Sequence, residues 1–285
     1  MTLSTKVFVS SDRNNGFGVT STIIMGRNDA ILVDTQFTIS NAYRLVAEII
    51  ETGKELKVIY ITHLHPDHYL GLAVIKSVFP FAEVVSSASI ADEINDAFDF
   101  KIDYWGKSVL KKNGAREKVL IQPLSTNKLH LDRNEIIILN DMCGDCINIS
   151  PLWIPSIKTI IASDIVFSDV HIWIADMRNN ERIQAWMHSL DILEGLSADK
   201  VIPGHSSLQP TLSPSAISFT RQYIKDFLKA NRKSNNSVEL IKEMKRIYPQ
   251  LTLDICLEYS AKIINDKICW PGDWPLALRE MRSTL

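Results

Sequence analysis

The stretch THLHPDHYLG, residues 62–71, places three histidines and one aspartate within six consecutive positions. An apolar run, KVIYIT, comes directly before it and predicts a buried strand, and a helical pattern follows. His63 and His65 are two positions apart, so an extended backbone points both imidazoles to one side. Asp67 and His68 turn into the start of the helix and face a second position. Because imidazole and carboxylate groups bind zinc, the stretch predicts two adjacent metal sites.

Two neighbouring metal ions would give the chain hydrolytic chemistry without a protein nucleophile. A pair of divalent ions about 3.5–4 Å apart lowers the pKa of a shared water and polarises the carbonyl or phosphoryl group under attack. The alternative is a surface loop in which the histidines have no joint role. Three of the seven histidines fall within six positions with an aspartate between them, and this density favours the metal sites.

Strand and helix patterns alternate around this stretch. Short β-rich runs near the N-terminus, separated by Gly and Asn, predict an antiparallel meander, and an amphipathic helix over residues 40–52 follows it. The second half repeats the order of strands and then a helix. Three further helical patterns come last, near residues 214–229, 237–247 and 253–264. The alternation predicts an α/β fold, with residues 1–210 as one domain and residues 211–285 as a helical extension packed on it.

The charge and hydropathy of the chain limit the classes of partner that we expect it to bind. It has 31 basic and 33 acidic residues without long runs of either sign, which gives no electrostatic footprint for nucleic acid. The N-terminus lacks an apolar leader, and no window approaches eighteen uninterrupted apolar residues. We therefore expect no nucleic-acid partner, no membrane partner and a cytoplasmic location.

The four cysteines do not make a disulfide framework in a chain of this length. Cys256 and Cys269 resemble ordinary small apolar residues. Cys143 and Cys146 form a C-x-x-C, which is typical of redox chemistry or of half a zinc site. No second C-x-x-C completes four thiolate ligands, so a structural or incidental role is the alternative for this pair.

The segment His63–His68 matches the signature H-x-H-x-D-H, and through it the chain resembles the metallo-β-lactamase superfamily. Asp34 in ILVDT, Asp164 in IIASDIVF and His205 in VIPGHS resemble later motifs of that family and occur in the family's order. The resemblance implies a four-layer αββα sandwich with a dinuclear metal site at one edge. It also implies that Asp34 orients the histidine loop without binding metal itself.

The resemblance further implies a set of metal ligands, with one departure from the family. The implied ligands are His63, His65, Asp67, His68, Asp164 and His205. The family usually supplies one more histidine from a turn that corresponds to NDMCGDC, residues 140–146, and Asp141 stands in its place. We predict Asp141 as the substitute ligand and zinc as the metal, with iron or manganese as alternatives at this harder site. A soft ligand from Cys143 or Cys146, or a weakened first site, is the other interpretation.

A bridging aspartate such as Asp164 resembles the glyoxalase II and lactonase branches more than the true β-lactamases. Quorum-sensing lactonases of the family carry a tyrosine where this chain has Phe167. The segment that follows Asp164 should run past the metals, and two aromatic residues between the halves would form a lid. The predicted pocket residues, each with ordinary packing as its alternative, are Phe167, His171, Trp173, Tyr104 and Trp105.

These inferences predict a metal-dependent hydrolase of a small ester, lactone or thioester. Asp67 and Asp164 are its predicted catalytic residues, because they would position the attacking water. Three alternatives stay open: an iron-dependent redox protein of the same family, a β-lactam hydrolase, and a metal-deficient binding protein. A small molecule is the expected substrate, and the C-terminal helices are expected either to cover the pocket or to form a homodimer.

Overall fold

Two β-sheets packed face to face form the centre of the structure, a computed structural model that describes residues 2–10 and 16–268. The first sheet has its six strands in sequence order. They are β1 (Ser4–Val9), β2 (Thr20–Met25), β3 (Asp29–Val33), β4 (Glu55–Tyr60), β5 (Glu83–Ser87) and β6 (Gln122–Leu124). Strands β1 to β3 pair antiparallel, which confirms the predicted meander, and β3 to β6 pair parallel.

The second sheet has five strands in the order β11-β10-β9-β8-β7. They are β7 (Lys128–Leu131), β8 (Asn134–Ile138), β9 (Leu152–Ile154), β10 (Thr159–Ser168) and β11 (Lys200–Ser206). Strands β10 and β11 are parallel, and the other pairs are antiparallel. Both of these parallel strands run several residues further than their apolar runs predict, and the additional residues include Asp164 and His205.

Seven α-helices among the described residues cover the outer faces of the sheets. They are α1 (Ile39–Glu51), α2 (Leu72–Val78), α3 (Ala88–Lys101), α4 (Asn180–Gly195), α5 (Ser215–Asn231), α6 (Ser237–Ile247) and α7 (Asp254–Ile264). A π-helical stretch, Ile102–Val109, continues α3 and carries Tyr104 and Trp105. Helix, sheet, sheet and helix layers follow one another, so the predicted α/β fold class, the αββα sandwich, is confirmed.

Three buried cores hold the four layers together. Ile59 and Tyr60 are neighbours in β4 but belong to different cores, because successive strand side chains point to opposite faces. Tyr60 meets Ile161 of β10 between the two sheets. Ile59 packs with Leu45 of α1 on the outer face of the first sheet. Trp186 of α4 belongs to the third core, between the second sheet and its helices. Burial on both faces explains why the central strands are almost entirely apolar.

Helix α2 begins at Leu72, whereas the sequence pattern predicts a helix that begins at Tyr69, directly after the histidine cluster. The backbone just before it is used for other contacts. The carbonyl of His68 accepts a hydrogen bond from Thr35 N at 2.7 Å, and Gly71 N donates to the carbonyl of Gln36 at 2.8 Å. These bonds tie the histidine stretch to the loop after β3, so a short 3-10 turn, Pro66–His68, replaces the first turn of the expected helix.

The three C-terminal helices share a core with the second sheet. Tyr223 and Phe227 of α5, Leu240 of α6 and Leu257 of α7 are buried there together with residues of β10. The boundary at residue 210 stays a prediction, and residues 269–285 of the predicted extension, with Cys269, lie outside the described residues. None of the described helices is long and apolar enough to cross a lipid bilayer.

His171, predicted as a pocket residue, lies instead in this helical core. Its side chain is 1% exposed, and Nδ1 is 2.9 Å from the hydroxyl of Tyr223. Its Nε2 lies 3.7 Å from the carboxylate of Asp254, and Lys245 opposes protonation. Burial, only partly offset by Asp254, lowers the pKa of His171 to about 4. The residue is therefore a neutral packing group between β10 and the C-terminal helices.

The low pKa of His171 predicts a loss of stability in acid. The folded protein takes up this proton only near pH 4, and the unfolded chain takes it up near the usual pKa of 6.5. The free energy of unfolding should therefore fall by about 1.4 kcal/mol per pH unit between these values, in addition to other titrations. Urea unfolding at about pH 7 and about pH 5 should show a smaller loss for His171→Gln than for the wild type, by up to about 2 kcal/mol. His188→Gln, at an exposed position of α4, is the control. Equal losses in wild type and His171→Gln would contradict the assignment.

Candidate metal centre

The histidine stretch and three distant aspartates meet where parallel strands of both sheets end. Asp34 follows β3 and His63 follows β4, at the carboxyl ends of neighbouring parallel strands. Asp164 lies within β10 and His205 within the parallel strand β11. The pairing of β10 with β11 shifts register on both sides of Ser163, and such bulges redirect side chains. The fold thus brings groups from four strands to one edge of the sandwich.

Asp164 lies at the centre of three imidazoles. Its carboxylate is fully buried, with Oδ2 3.3 Å from His63 Nε2 and 3.2 Å from His205 Nε2. The other oxygen, Oδ1, is 3.1 Å from His68 Nε2. His65 joins from the cavity side, with Nδ1 3.7 Å from Asp164 Oδ2. One carboxylate therefore faces all four histidines that were predicted as metal ligands.

Within the described residues, three groups of side chains present metal-binding atoms within 4.8 Å of one another. The first site, as we name it here, is His63, His65, Asp145 and Cys146. The second site is Asp67, His68 and His205. Between them lies a bridging group of His63, His68 and Asp164. The bridging group shares members with both sites, so the three groups form one continuous cluster of candidate metal ligands.

The chemistry of the cluster fits divalent metal ions. His63 Nε2, Asp145 Oδ1 and Asp164 Oδ1 are buried and have no hydrogen-bond partner in the part of the chain that the structure describes. Buried polar atoms without partners are costly unless a ligand satisfies them. Two atoms bound to one tetrahedral zinc ion at about 2.0–2.1 Å would lie about 3.3 Å apart. The separations of 3.1–3.3 Å around Asp164 match this value.

Each histidine has one ring nitrogen engaged outside the cluster. His68 Nδ1 donates to Asp34 Oδ2 at 2.7 Å, and His205 Nδ1 donates to the carbonyl of Phe17 at 2.7 Å. Nε2 of both rings is then left to face the cluster. His65 shows the reverse arrangement, because its Nε2 lies 3.4 Å from Asp176 and its Nδ1 faces Asp145. Outer contacts of this kind fix the ring orientation and the tautomer of metal-binding histidines.

Asp34 lies behind His68 and ties the histidine stretch to the first sheet. It is 3% exposed, and its carboxylate also accepts hydrogen bonds from the backbone N of Thr62 at 3.0 Å and from the Thr62 hydroxyl. The hydroxyl of Thr62 in turn lies 3.0 Å from His63 Nδ1. This is the position from which an aspartate would orient the loop without touching a metal.

The protonation states of His63 and Asp164 suit metal binding, whereas nearby carboxylates raise the pKa of His65, His68 and His205 against the effect of burial. Burial lowers the pKa of His63 to about 4, so the ring keeps a free lone pair. Burial alone would raise the pKa of Asp164, but the charges of His68 and His205 outweigh it and hold the pKa well below its usual value. Burial raises the pKa of Asp145 to about 7 against the attraction of His65. Neutral imidazole and ionised carboxylate are the forms that bind metal ions.

Asp141, predicted as the substitute ligand, lies on the surface and outside all three groups. The tight turn that follows it explains the difference. Met142 pairs with Ile149 across the base of the turn, and Asp145 N donates to the carbonyl of Asp164 at 3.0 Å. These bonds direct Asp145 inward and leave Asp141 outside. We therefore replace Asp141 by Asp145 among the candidate ligands.

A cavity of about 460 Å³ opens directly onto the cluster. Its metal side is lined by His65, Asp67, Asp145, Cys146 and His205. Aromatic rings of Tyr104, Trp105, Trp173 and Tyr259 form its walls, and Lys101, Arg178 and Arg182 also line it. Cavities of roughly 300–1,000 Å³ with apolar walls and a few polar groups are typical of small-molecule sites.

Three of the five predicted pocket residues line this cavity: Tyr104, Trp105 and Trp173. Phe167 does not fit the prediction, because its ring is fully buried and stacks on His205 with the ring planes 5° apart and the centroids 5.1 Å apart. It supports the histidine from behind. His171 lies in the helical core as described above.

The sequence reasoning missed several groups at this site. Asp145 carried a signal, since it lies beside a glycine in the turn where the family supplies a ligand. Ile255, Cys256 and Tyr259 carried none, because their spacing on α7 is that of an ordinary packing face. Helix α7 nevertheless contributes to the wall of the cavity, so the C-terminal extension takes part in shaping the site.

Comparison with known proteins agrees with this geometry. Residues 14–141 match the family model described as "Metallo-beta-lactamase superfamily". This part of the chain is therefore similar to the metallo-β-lactamase superfamily. A search of curated protein sequences finds no match to this chain. The family match and the His/Asp groups together support a metal-dependent hydrolase in general.

Solved structures share the superfamily fold at low sequence identity. A metallo-β-lactamase family protein from Thermus thermophilus has a TM-score of 0.65 and 16% identity, over 98% of this chain and 94% of that one. DIM-1 metallo-β-lactamase exposed to ceftazidime has a TM-score of 0.57 and 20% identity, over 79% of this chain and 97% of its own. A metallo-β-lactamase from Pontibacter korlensis has a TM-score of 0.54 and 16% identity, over 79% of this chain and 95% of that one. At these identities the likeness concerns the fold.

Proposed function

We propose that this protein hydrolyses a small ester, lactone or thioester with two divalent metal ions, zinc being the expected ion. The observation that carries the proposal is the fully buried Asp164 among the imidazoles of His63, His68 and His205, beside a cavity of about 460 Å³. Ions held there would polarise the scissile carbonyl and lower the pKa of the attacking water.

Two carboxylates of the cluster, those of Asp67 and Asp164, have the catalytic roles in this proposal. Asp67 lines the cavity, and its Oδ2 lies 3.5 Å from His205 Nε2. We assign to this carboxylate the positioning of the attacking water and the acceptance of its proton. Asp164 has the second catalytic role, since its charge fixes the relative positions of the three imidazoles around it.

The walls of the cavity support a small substrate with an apolar part. Tyr104 and Trp105 pack edge to face, with ring centroids 5.1 Å apart, and form one rigid wall. Trp173 forms another and donates from its indole nitrogen to Asp176 at 2.9 Å. Flat aromatic surfaces of this kind suit an acyl chain or a lactone ring. The likeness of Asp164 to the bridging aspartate of the glyoxalase II and lactonase branches supports the same choice of carbonyl substrates.

Metal analysis combined with a substrate panel tests the proposal. Protein purified without added metal should be colourless and contain up to two zinc ions per chain, and it should hydrolyse members of a panel of esters, lactones and thioesters. His65→Ala should lose both metal and turnover, and His130→Ala, at an exposed position of β7, should lose neither.

Other results would replace the proposal by one of its alternatives. Turnover of β-lactams with no activity on the other carbonyl substrates would make the protein a β-lactam hydrolase. A coloured iron protein would favour redox chemistry. Absence of both metal and turnover would favour a binding protein that retains the fold.

A further inference from the structure

The two cysteines of the C-x-x-C have different surroundings. Cys143 Sγ is directed into the core around the second sheet, 4.0 Å from Met177 Sδ and 3.7 Å from the carbonyl of Arg182. Cys146 lines the cavity, and its Sγ belongs to the first site. Both are free thiols. The motif is therefore split into one packing residue and one residue that faces the metal cluster.

The fold of the turn delivers Cys146 to the cluster together with Asp145. Gly144 N donates to the carbonyl of Cys146 at 2.9 Å, which closes the turn, and Asp145 N binds the carbonyl of Asp164. A side chain at Gly144 would collide with that same carbonyl, so only glycine allows the turn to come this close to β10. Asp145 and Cys146 are adjacent residues that both reach the first site because the turn is pressed against Asp164.

Unsatisfied atoms around the thiol indicate a common ligand. Asp145 is 1% exposed and His63 is fully buried, and within residues 2–10 and 16–268 neither Asp145 Oδ1 nor His63 Nε2 has a hydrogen-bond partner. Asp145 Oδ2 lies 3.2 Å from His65 Nδ1. Donor atoms from four side chains thus surround one point within 4.8 Å of one another.

We propose that Cys146 is a metal ligand, so that the first site binds its ion through two imidazoles, one carboxylate and one thiolate. The inference rests on the proposed function, because it concerns the same metal cluster. Four protein ligands of these types match the tetrahedral preference of zinc, and a thiolate favours zinc over manganese. The preference for a harder metal that Asp141 would have given is thereby removed.

The number of ligands distinguishes the roles of the two sites. A zinc site closed by four protein ligands keeps no open position, whereas a catalytic site needs one. The second site has three protein ligands, Asp67, His68 and His205, and two of these line the cavity. Counted apart from the central Asp164, which faces both sites, the first site thus has four ligands that hold His63 and His65 in place, and the open position belongs to the second site.

Cobalt substitution tests the thiolate ligand without reference to turnover. Metal-free protein is loaded with two equivalents of Co²⁺, and the near-ultraviolet charge-transfer band of a thiolate bound to cobalt is recorded. We expect the band in the wild type, in Cys143→Ser and in Cys256→Ser, and its loss in Cys146→Ser. The zinc-loaded wild type should also show a sulfur neighbour at about 2.3 Å in X-ray absorption. Affinity for the more tightly bound ion should fall at least about 10-fold in Cys146→Ser.

The outcomes separate this inference from the proposed function. A wild type that binds two cobalt ions and hydrolyses carbonyl substrates, but shows neither the band nor the sulfur neighbour, overturns the role of Cys146 and leaves the hydrolase intact. Retention of the band in Cys146→Ser would likewise overturn the role of Cys146 and leave the hydrolase intact. A wild type that binds no metal overturns both. The absorption measurement needs only the wild type, so the inference stays testable even if a variant does not fold.

Discussion

Replacing Asp164 with asparagine should lower metal affinity and hydrolytic turnover by about 100-fold or more. The side chain keeps its size and loses its charge. Asp164 is fully buried, and its oxygens lie 3.1–3.3 Å from His63, His68 and His205. Loss of a residue behind a metal ligand already costs about 10–100-fold in metal affinity, so loss of the central carboxylate should cost more.

Asp169→Asn is the matched control for this variant. Asp169 lies on the surface just after β10. Its replacement by asparagine removes the same negative charge, but outside the cluster. Zinc content after dialysis, chelator competition and turnover should be close to wild type in Asp169→Asn and strongly reduced in Asp164→Asn. Retention of two tightly bound zinc ions by Asp164→Asn would show that Asp164 does not hold the cluster together.

Replacing Gly204 with alanine should disrupt the same carboxylate through packing. A Cβ at this position of β11 would overlap Asp164 Oδ1 and would come within 2.6 Å of Ser163 C and 2.7 Å of Asp164 N. Two of these atoms are backbone atoms of the neighbouring strand, so no side-chain rotation relieves the contact. Overpacking of this kind typically costs about 1–3 kcal/mol in the free energy of unfolding. Because Asp164 must move, zinc affinity should fall as well.

Gly195→Ala provides the comparison. This glycine ends α4, has a negative φ, and has no atom within 4 Å of an added Cβ in the described structure. Replacement should be neutral or stabilise by about 0.4–1 kcal/mol, since alanine restricts the unfolded chain. Urea unfolding should show Gly204→Ala less stable than the wild type and Gly195→Ala equally or more stable, and zinc titration should show weaker binding only in Gly204→Ala. Equal stability and equal zinc affinity would mean that β10 and β11 can separate at Gly204 without cost.

The histidine stretch could be read from the sequence because its geometry is local. Residues two positions apart in an extended segment share a side, and His63 and His65 both turn towards Asp164. Most strands and helices were likewise predictable, since burial on one or both faces leaves a periodic pattern in the chain. The start of α2 was misplaced because hydrogen bonds to a distant loop, at Thr35 and Gln36, decide it.

The third ligand of the first site could not be assigned in the same way. Asp141 and Asp145 lie four residues apart in one turn, and both are carboxylates. The choice between them depends on the backbone hydrogen bond from Asp145 N to the carbonyl of Asp164, which directs Asp145 inward. That bond joins residues 19 positions apart in the chain. For the same reason, Phe167 and His171 were predicted beside the pocket although the helices of the extension pack over them.

The sequence by itself determined the α/β fold class and the histidine-rich centre at the end of β4, because periodic burial and short-range spacing are properties of neighbouring residues. Only the tertiary structure decided that Cys146 faces the cluster and Cys143 the core, that Asp145 takes the place expected for Asp141, and that α7 closes one wall of the cavity. Each of these depends on contacts between segments far apart in the chain, and the position of one segment against another is fixed only when the sheets and helices pack together.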